Sequence, residues 1–199
     1  MGNPVTATTE LEAVNTCLMN IGETPVQSLE DDTVVDATMA LDTVRNVTRE
    51  LQTQSFHWNT DVQIALSRNL EGRIVLAPNV LRVKPSGNDS HLPIVQRGAY
   101  LYNRLTHSYQ FDHDITVDQT IGLPFDELPE TARRFIALRA ARIFQERTIS
   151  SESVAQSDRM DEMTAYTQLM NEETNVGGYN MIADNISTAR IVHRTGLFR

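Results

Sequence analysis

Apolar residues recur at intervals of three and four over two stretches near the start of the chain. They fall into short runs through its middle and return to the three-and-four pattern toward its end. Thr9 stands three residues before Glu12. That is the spacing of a capping box, in which hydroxyl and carboxylate each satisfy an orphan backbone donor. The helix it opens carries Leu11, Val14, Leu18 and Ile21 on one face and stops at Gly22. A second helix is predicted from about Val34 to Gln54, with Ala37, Ala40, Leu41, Val44, Val47 and Leu51 forming one apolar stripe. Asp42, Arg45, Arg49 and Glu50 fall outside that stripe.

The texture changes at Ser55-Phe56-His57-Trp58. Val62, Ile64 and Leu66 alternate, and Arg73 to Leu76, Val80 to Val83, Ile94 to Gln96, Ala99 to Asn103 and Ile115 to Val117 read as further strands. Pro78-Asn79, Pro85-Ser86-Gly87-Asn88 and Arg97-Gly98 supply turns. Helical periodicity returns at Pro129, which suits a first helical position, with Glu130 complementing the dipole. Ala132, Phe135, Ile136, Ala140 and Ile143 make the apolar face of that third helix, which ends near Ile149. Ser150-Ser151 can cap a fourth helix reaching about Glu173, with Met163, Tyr166 and Met170 inward and Gly177-Gly178 as its stop.

These elements predict an α+β fold: an antiparallel four-helix bundle interrupted by a β-rich insertion, with an extended C-terminal arm. The expected division is a discontinuous helical domain over residues 1–56 and 124–179, an inserted β-rich domain over 57–123, and an arm over 180–199.

Charge sharpens the picture of the arm. The chain carries a formal net charge of −9, yet from Asn185 onward it has Arg190, Arg194 and Arg199 and no acid, leaving −12 on the residues before it. A short basic tail on an acidic body is a partner-binding pattern. Ile186, Ile191, Val192, Leu197 and Phe198 make the tail apolar as well. The acidic body argues against duplex binding, which needs clustered cations. It suits a passage through which DNA slides without sticking. Lys84 is the single lysine, and the arginine-dominated base content suits protein interfaces. The single cysteine, Cys17, sits on a helical apolar pattern and reads as a buried small hydrophobe. No apolar run has the roughly 20 residues that span a bilayer, and no basic-then-apolar leader opens the chain.

Candidate chemistry is sparse. No phosphate loop, Rossmann fingerprint, nucleophile elbow or His-Glu-x-x-His motif is present. His107, Asp112, His113 and Asp114 hold metal-ligating atoms, but the segment also reads as a polar loop between strands. Asp126, Glu127 and Glu130 could form a glycosidase carboxylate pair, although acids at a helix start need no such role. Trp58, Tyr100, Tyr102 and Tyr109 could form a stacking platform or belong to a core or interface. The expectation is a chain with no catalytic residue, no metal and no cofactor.

Several stretches together resemble the tail tubular protein A family of short-tailed bacteriophages, also called adaptor or gatekeeper proteins. They are Leu11-Glu-Ala-Val-Asn15, Ile21-Gly-Glu-Thr-Pro-Val26 with Ser28-Leu-Glu30, Arg97-Gly-Ala-Tyr-Leu-Tyr102, Phe111-Asp-His-Asp-Ile-Thr-Val117, Phe125-Asp-Glu-Leu-Pro129 and Gly177-Gly-Tyr-Asn-Met181. Their shared order carries the resemblance; residues from about Gln63 to Pro93 share it least.

The resemblance implies a virion-tail protein assembled in the host cytoplasm. It implies a ring of twelve copies beneath the portal, with a tubular-protein-B-type nozzle and tail fibres below, DNA passing through the lumen and no membrane insertion. It would give the portal-binding role to Asn185, Ile186, Arg190, Ile191, His193, Arg194, Leu197, Phe198 and Arg199. Lys84, Asn88, Asp89 and His91, in a polar loop, are the expected nozzle or fibre contact. The competing readings are a tail-associated glycan hydrolase working through Asp126, Glu127 and Glu130, and a cytoplasmic adaptor that forms no ring.

Overall fold

Thr9 begins the first helix as its spacing to Glu12 predicts. In the computed structural model, which describes residues 6–30, 34–148 and 152–176, the Glu12 backbone N–H donates to the Thr9 hydroxyl at 3.2 Å. The Thr9 N–H in turn donates to the Glu12 carboxylate at 2.8 Å. Helix α1 (Glu10–Asn20) buries Ala13, Val14, Cys17 and Leu18. Its end is a Schellman closure: Gly22 takes a left-handed φ of +82°, Gly22 N–H donates to the Met19 carbonyl and Glu23 N–H to that of Leu18. Burial pushes the Cys17 thiol up to about 12, as expected of a small buried hydrophobe.

Helix α2 (Val35–Gln52) buries the predicted stripe apart from Leu41, which is half-buried, and adds Thr43, Thr48 and Gln52. Helix α3 (Glu130–Thr148) starts one residue after Pro129, whose carbonyl accepts the first helical N–H, from Arg133. Pro129 therefore stands at the N-cap and not at the first helical position. Alpha-3 packs against α1, α2 and α4. It accordingly buries more of its circumference than one stripe: Ala132, Phe135, Ile136, Ala137, Ala140, Ala141, Phe144 and Gln145. Its four buried alanines let neighbouring backbones come close.

Helix α4 (Glu152–Val176) runs past the expected end at Glu173, and its inward side differs from expectation. Met163 is 72% exposed and Tyr166 37%, whereas Ala165 and Leu169 are buried. Met170 is partly buried against the core, and Tyr166, though exposed, keeps its ring beside that of Phe135.

Five strands follow α2: β1 (Thr60–Leu66), β2 (Val80–Pro85), β3 (Ile94–Arg97), β4 (Tyr100–Asn103) and β5 (Ile115–Ile121). Beta-1 and β2 flank β5 in an antiparallel three-stranded sheet, and β3 pairs with β4 as a hairpin. Gly98, at φ +60°, supplies the left-handed residue of the two-residue turn between Arg97 and Tyr100. Each outer strand of the larger sheet slips register against β5, between Asp61 and Ile64 on β1 and between Val80 and Arg82 on β2. Gln63 at φ +55° marks the first slip. The expected strand from Arg73 to Leu76 is not a ladder: Arg73, Ile74 and Val75 make isolated bridges to Gln110, Arg68 and Tyr100 respectively. Each residue finds a different partner, so no continuous pairing forms, although Ile74 is fully buried.

The apolar core falls into two clusters. The larger joins the four helices with Phe56, Phe125 and Leu128; the smaller comprises Ile74, Ile94, Leu101, Phe111, Ile115 and Val117. The chain passes between them twice, and polar side chains fasten the crossings. Gln52 Nε2 donates to the Leu123 carbonyl at 3.0 Å and Gln52 Oε1 accepts the Leu123 N–H at 2.7 Å. Asn59 Nδ2 donates to the carbonyls of Gln52 and Ile121. The Thr120 hydroxyl donates to Ser55 Oγ at 2.8 Å. From the end of α4, Glu173 accepts the His57 N–H at 2.9 Å and meets His57 Nδ1 at 2.5 Å.

Candidate assembly surfaces

A groove of about 650 Å³ lies between α2, α3 and α4. Val47, Leu51, Phe135, Met163 and Tyr166 give it apolar walls, and the Tyr166 ring sits 5.3 Å from that of Phe135. Its rim is ionic. Arg139 donates to Glu50 at 2.9 Å and to Glu162 at 2.8 Å, while Arg142 pairs with both Glu162 and Glu146, and Arg159 reaches Glu146 at 3.2 Å. Burial pushes the Glu162 carboxyl up, but the hydrogen bonds from Arg142 and Arg139 outweigh it and hold the group below its usual range. Asp158 has no such partner among the described residues: burial and the nearby Asp161 raise its pKa, and its buried Oδ2 meets no hydrogen-bond partner there. Met160, 68% exposed, precedes Met163 by three positions on α4 and extends the apolar strip outward. Exposed methionines beside a groove are adaptable contact material.

A second surface is the loop after β2. Its short helical turn, Gly87–Asp89, faces β5. Asp89 is buried; its Oδ2 accepts the Thr116 N–H at 2.7 Å and its Oδ1 meets His113 Nε2 at 3.0 Å. The other ring nitrogen of His113 meets Asp112 at 2.6 Å. Of the four residues expected to make a nozzle or fibre contact, Lys84, Asn88 and His91 are exposed, whereas Asp89 turns inward and fastens the loop. Lys84 belongs to β2 rather than to the loop proper.

With carboxylates at both ring nitrogens, the His113 imidazolium is favoured, and its pKa rises above the ordinary 6.5, led by the Asp89 hydrogen bond and then by that of Asp112. Asp89 is held below its usual 3.8, first by the Thr116 N–H and then by His113. The raised histidine contributes stability that is complete below its unfolded pKa and is lost as pH rises through its folded one. The depressed Asp89 contributes stability lost as pH falls through its own lowered value. Loop protection against hydrogen exchange at residues 87–92 should therefore be greater at about pH 5.5 than at about pH 9, after correction for intrinsic exchange. H113A should abolish that difference; a difference that survives would place the titration elsewhere.

The remaining sequence candidates resolve into structural roles. Glu130 accepts both the N–H and the hydroxyl of Thr8 at 2.7 Å, fastening the segment before α1 to the start of α3. Arg133 completes that fastening through the carbonyls of Leu128, Thr8 and Asp126. Asp126 and Glu127 are exposed. Trp58 stacks on Phe56 at 5.1 Å beside the helical core, away from Tyr109, which packs edge to face with both Tyr100 and Tyr102. Arg97 lies 3.7 Å over the Tyr102 ring. Among the described residues no three His, Cys, Asp or Glu side chains gather as a metal site, and no helix is long and apolar enough to cross a membrane. The arm residues Asn185 to Arg199 lie outside the described residues.

A family model described as tail tubular protein matches residues 11–179, a span running through both helical stretches and all five strands. The chain belongs to the tail tubular protein family. Tail tubular protein A of Klebsiella phage KP34 is 27% identical over 128 residues, covering 64% of this chain and 67% of that relative. As a tail tubular protein, the chain is a structural component of the phage tail and is located in the virion tail. The surfaces above are thus read as places where a tail protein meets its neighbours. Sequence pattern did not reveal the groove or its ion network, because its residues come from three helices and pair across as many as 89 positions. The Met163 and Tyr166 stripe was a signal for it, read as core.

Proposed function

We propose that this tail tubular protein is the adaptor ring of a short phage tail. Twelve copies join the portal to a tubular-protein-B-type nozzle and to the fibres, and they line part of the channel through which DNA is ejected. The match to the tail tubular family over 169 consecutive positions, 11–179, carries the reading. A geometric function needs rigid parts and contact surfaces, and the chain supplies both: a helical half with an apolar groove, and a β-rich half with an exposed loop. In this reading the helices form a four-helix bundle over residues 1–56 and 124–179, 57–123 is a separate inserted domain, and 180–199 is an arm. The arm residues, from Asn185 and Ile186 through Arg190, Ile191, His193 and Arg194 to Leu197, Phe198 and Arg199, bind the portal. Lys84, Asn88 and His91 face the nozzle or fibres. The net charge of −9 per copy keeps passing DNA from adhering. The protein works without catalysis and assembles in the host cytoplasm before entering the virion.

The test is solution mass by light scattering, alone and mixed with the candidate portal. A mass of twelve copies, free or on the portal, is expected, and ending the chain at Asp184 should prevent portal attachment. A monomer under both conditions would overturn the ring.

A further inference from the structure

We infer that the groove between α2, α3 and α4 is a berth for the chain's own C-terminal segment, Asn185 to Arg199, in a subunit not yet joined to its partners. The idea that portal contact empties the berth rests on the arm reading above; the berth itself does not.

Chemistry matches first. The groove offers apolar walls with Met163 largely exposed, and the segment offers Ile186, Ile191, Val192, Leu197 and Phe198. The groove's three arginines, Arg139, Arg142 and Arg159, are already matched by Glu50 and Glu162 in its lining and by Glu146 beside it, which leaves Asp158, close to Arg142, outside the pairing. Among the described residues, a buried oxygen of Asp158 has no hydrogen-bond partner. The segment brings Arg190, Arg194 and Arg199 and no acid. An arginine fork is the natural complement of such a carboxylate.

Length matches as well. Met163 precedes the end of α4 at Val176 by 13 residues, so it lies roughly 20 Å back along the helix at about 1.5 Å per residue. Residues 177–184 can span at most about 27 Å. They begin with Gly177-Gly178, which lack the side chains that oppose a reversal of direction. Eight residues are enough to return Asn185 to the level of the groove, and few would be spare. That match favours the same chain over a second copy.

The native thiol does not interfere with a cysteine test, since Cys17 is buried and its pKa is near 12. In the full chain, M163C paired with V192C, and separately with I186C, is treated at high dilution with a short bis-maleimide. V62C paired with V192C serves as control, because Val62 is 70% exposed in the β-rich half and Met163 72% in the helical half. Bridging within one chain several-fold above the control is expected for at least one Met163 pair. Bridging no greater than the control for both would overturn the inference. So would bridged dimers as the main product, which would assign the groove to a second copy. Ring formation is read separately by mass, so a chain that bridges but forms no ring would retain the berth and lose the adaptor reading.

Discussion

Gln52→Ala should lower the free energy of unfolding by about 3 kcal/mol. Gln52 is 2% exposed, and its amide makes both of its hydrogen bonds to one backbone unit, the N–H and carbonyl of Leu123. Truncation strands both groups at the point where the chain re-enters the helical half. Each buried, unpaired backbone group costs roughly 1–3 kcal/mol, and water entering the vacated space returns part of it. Gln52→Met separates hydrogen bonding from packing, since it fills most of the volume without replacing either bond. Urea unfolding should place the methionine variant within about 1 kcal/mol of the alanine variant. A methionine variant as stable as the parent would show that volume, and not the amide, holds the crossing.

Phe144→Ala should cost about 4 kcal/mol. Phe144 is 2% exposed and heads the fully buried side chains by volume. It lies on α3, the helix that packs against the other three, and its helical neighbours Ala140 and Ala141 have no side-chain length with which to fill a vacancy. The cost therefore combines lost transfer energy with a cavity that relaxes little. Phe144→Leu, which keeps most of the volume, should cost about 1–2 kcal/mol. The same urea titration measures both. A loss below about 2 kcal/mol for the alanine variant would mean that the helices close over the gap.

These two residues also show how far sequence pattern reaches. Phe144 sits on a helix announced by its own periodicity, as do the capping box at Thr9 and the stripe on α2. Local rules wrote those elements. Gln52 announced nothing, because its partner lies 71 residues away and a buried glutamine is indistinguishable in sequence from a solvated one. Asp89 is hidden for the same reason: its partners, His113 and Thr116, are 24 and 27 positions off, so nothing in the sequence separates this buried acid from the other residues of a polar contact loop. Alpha-4 failed differently. A stripe at 163, 166 and 170 satisfies helical spacing, but the buried positions are 165 and 169, about 100° round the axis from 166 and 170. Both stripes obey the same periodicity, and only packing against α3 chooses between them. The contact residues of the arm were assigned from charge and resemblance, and their role rests on the mass and portal measurements.

The register slips on β1 and β2 bear on how such a protein survives its own assembly. A tail component works pressed against other proteins, where any regular strand margin meets another at very high local concentration. Such margins recruit one another without limit. Both outer strands of the three-stranded sheet are interrupted, and β2 ends on Pro85, which has no N–H to offer. Neither margin is a straight template for a stranger. Contact between tail proteins can then be decided by side chains that recognise particular partners, and growth stops where the architecture requires, not where the supply of protein runs out.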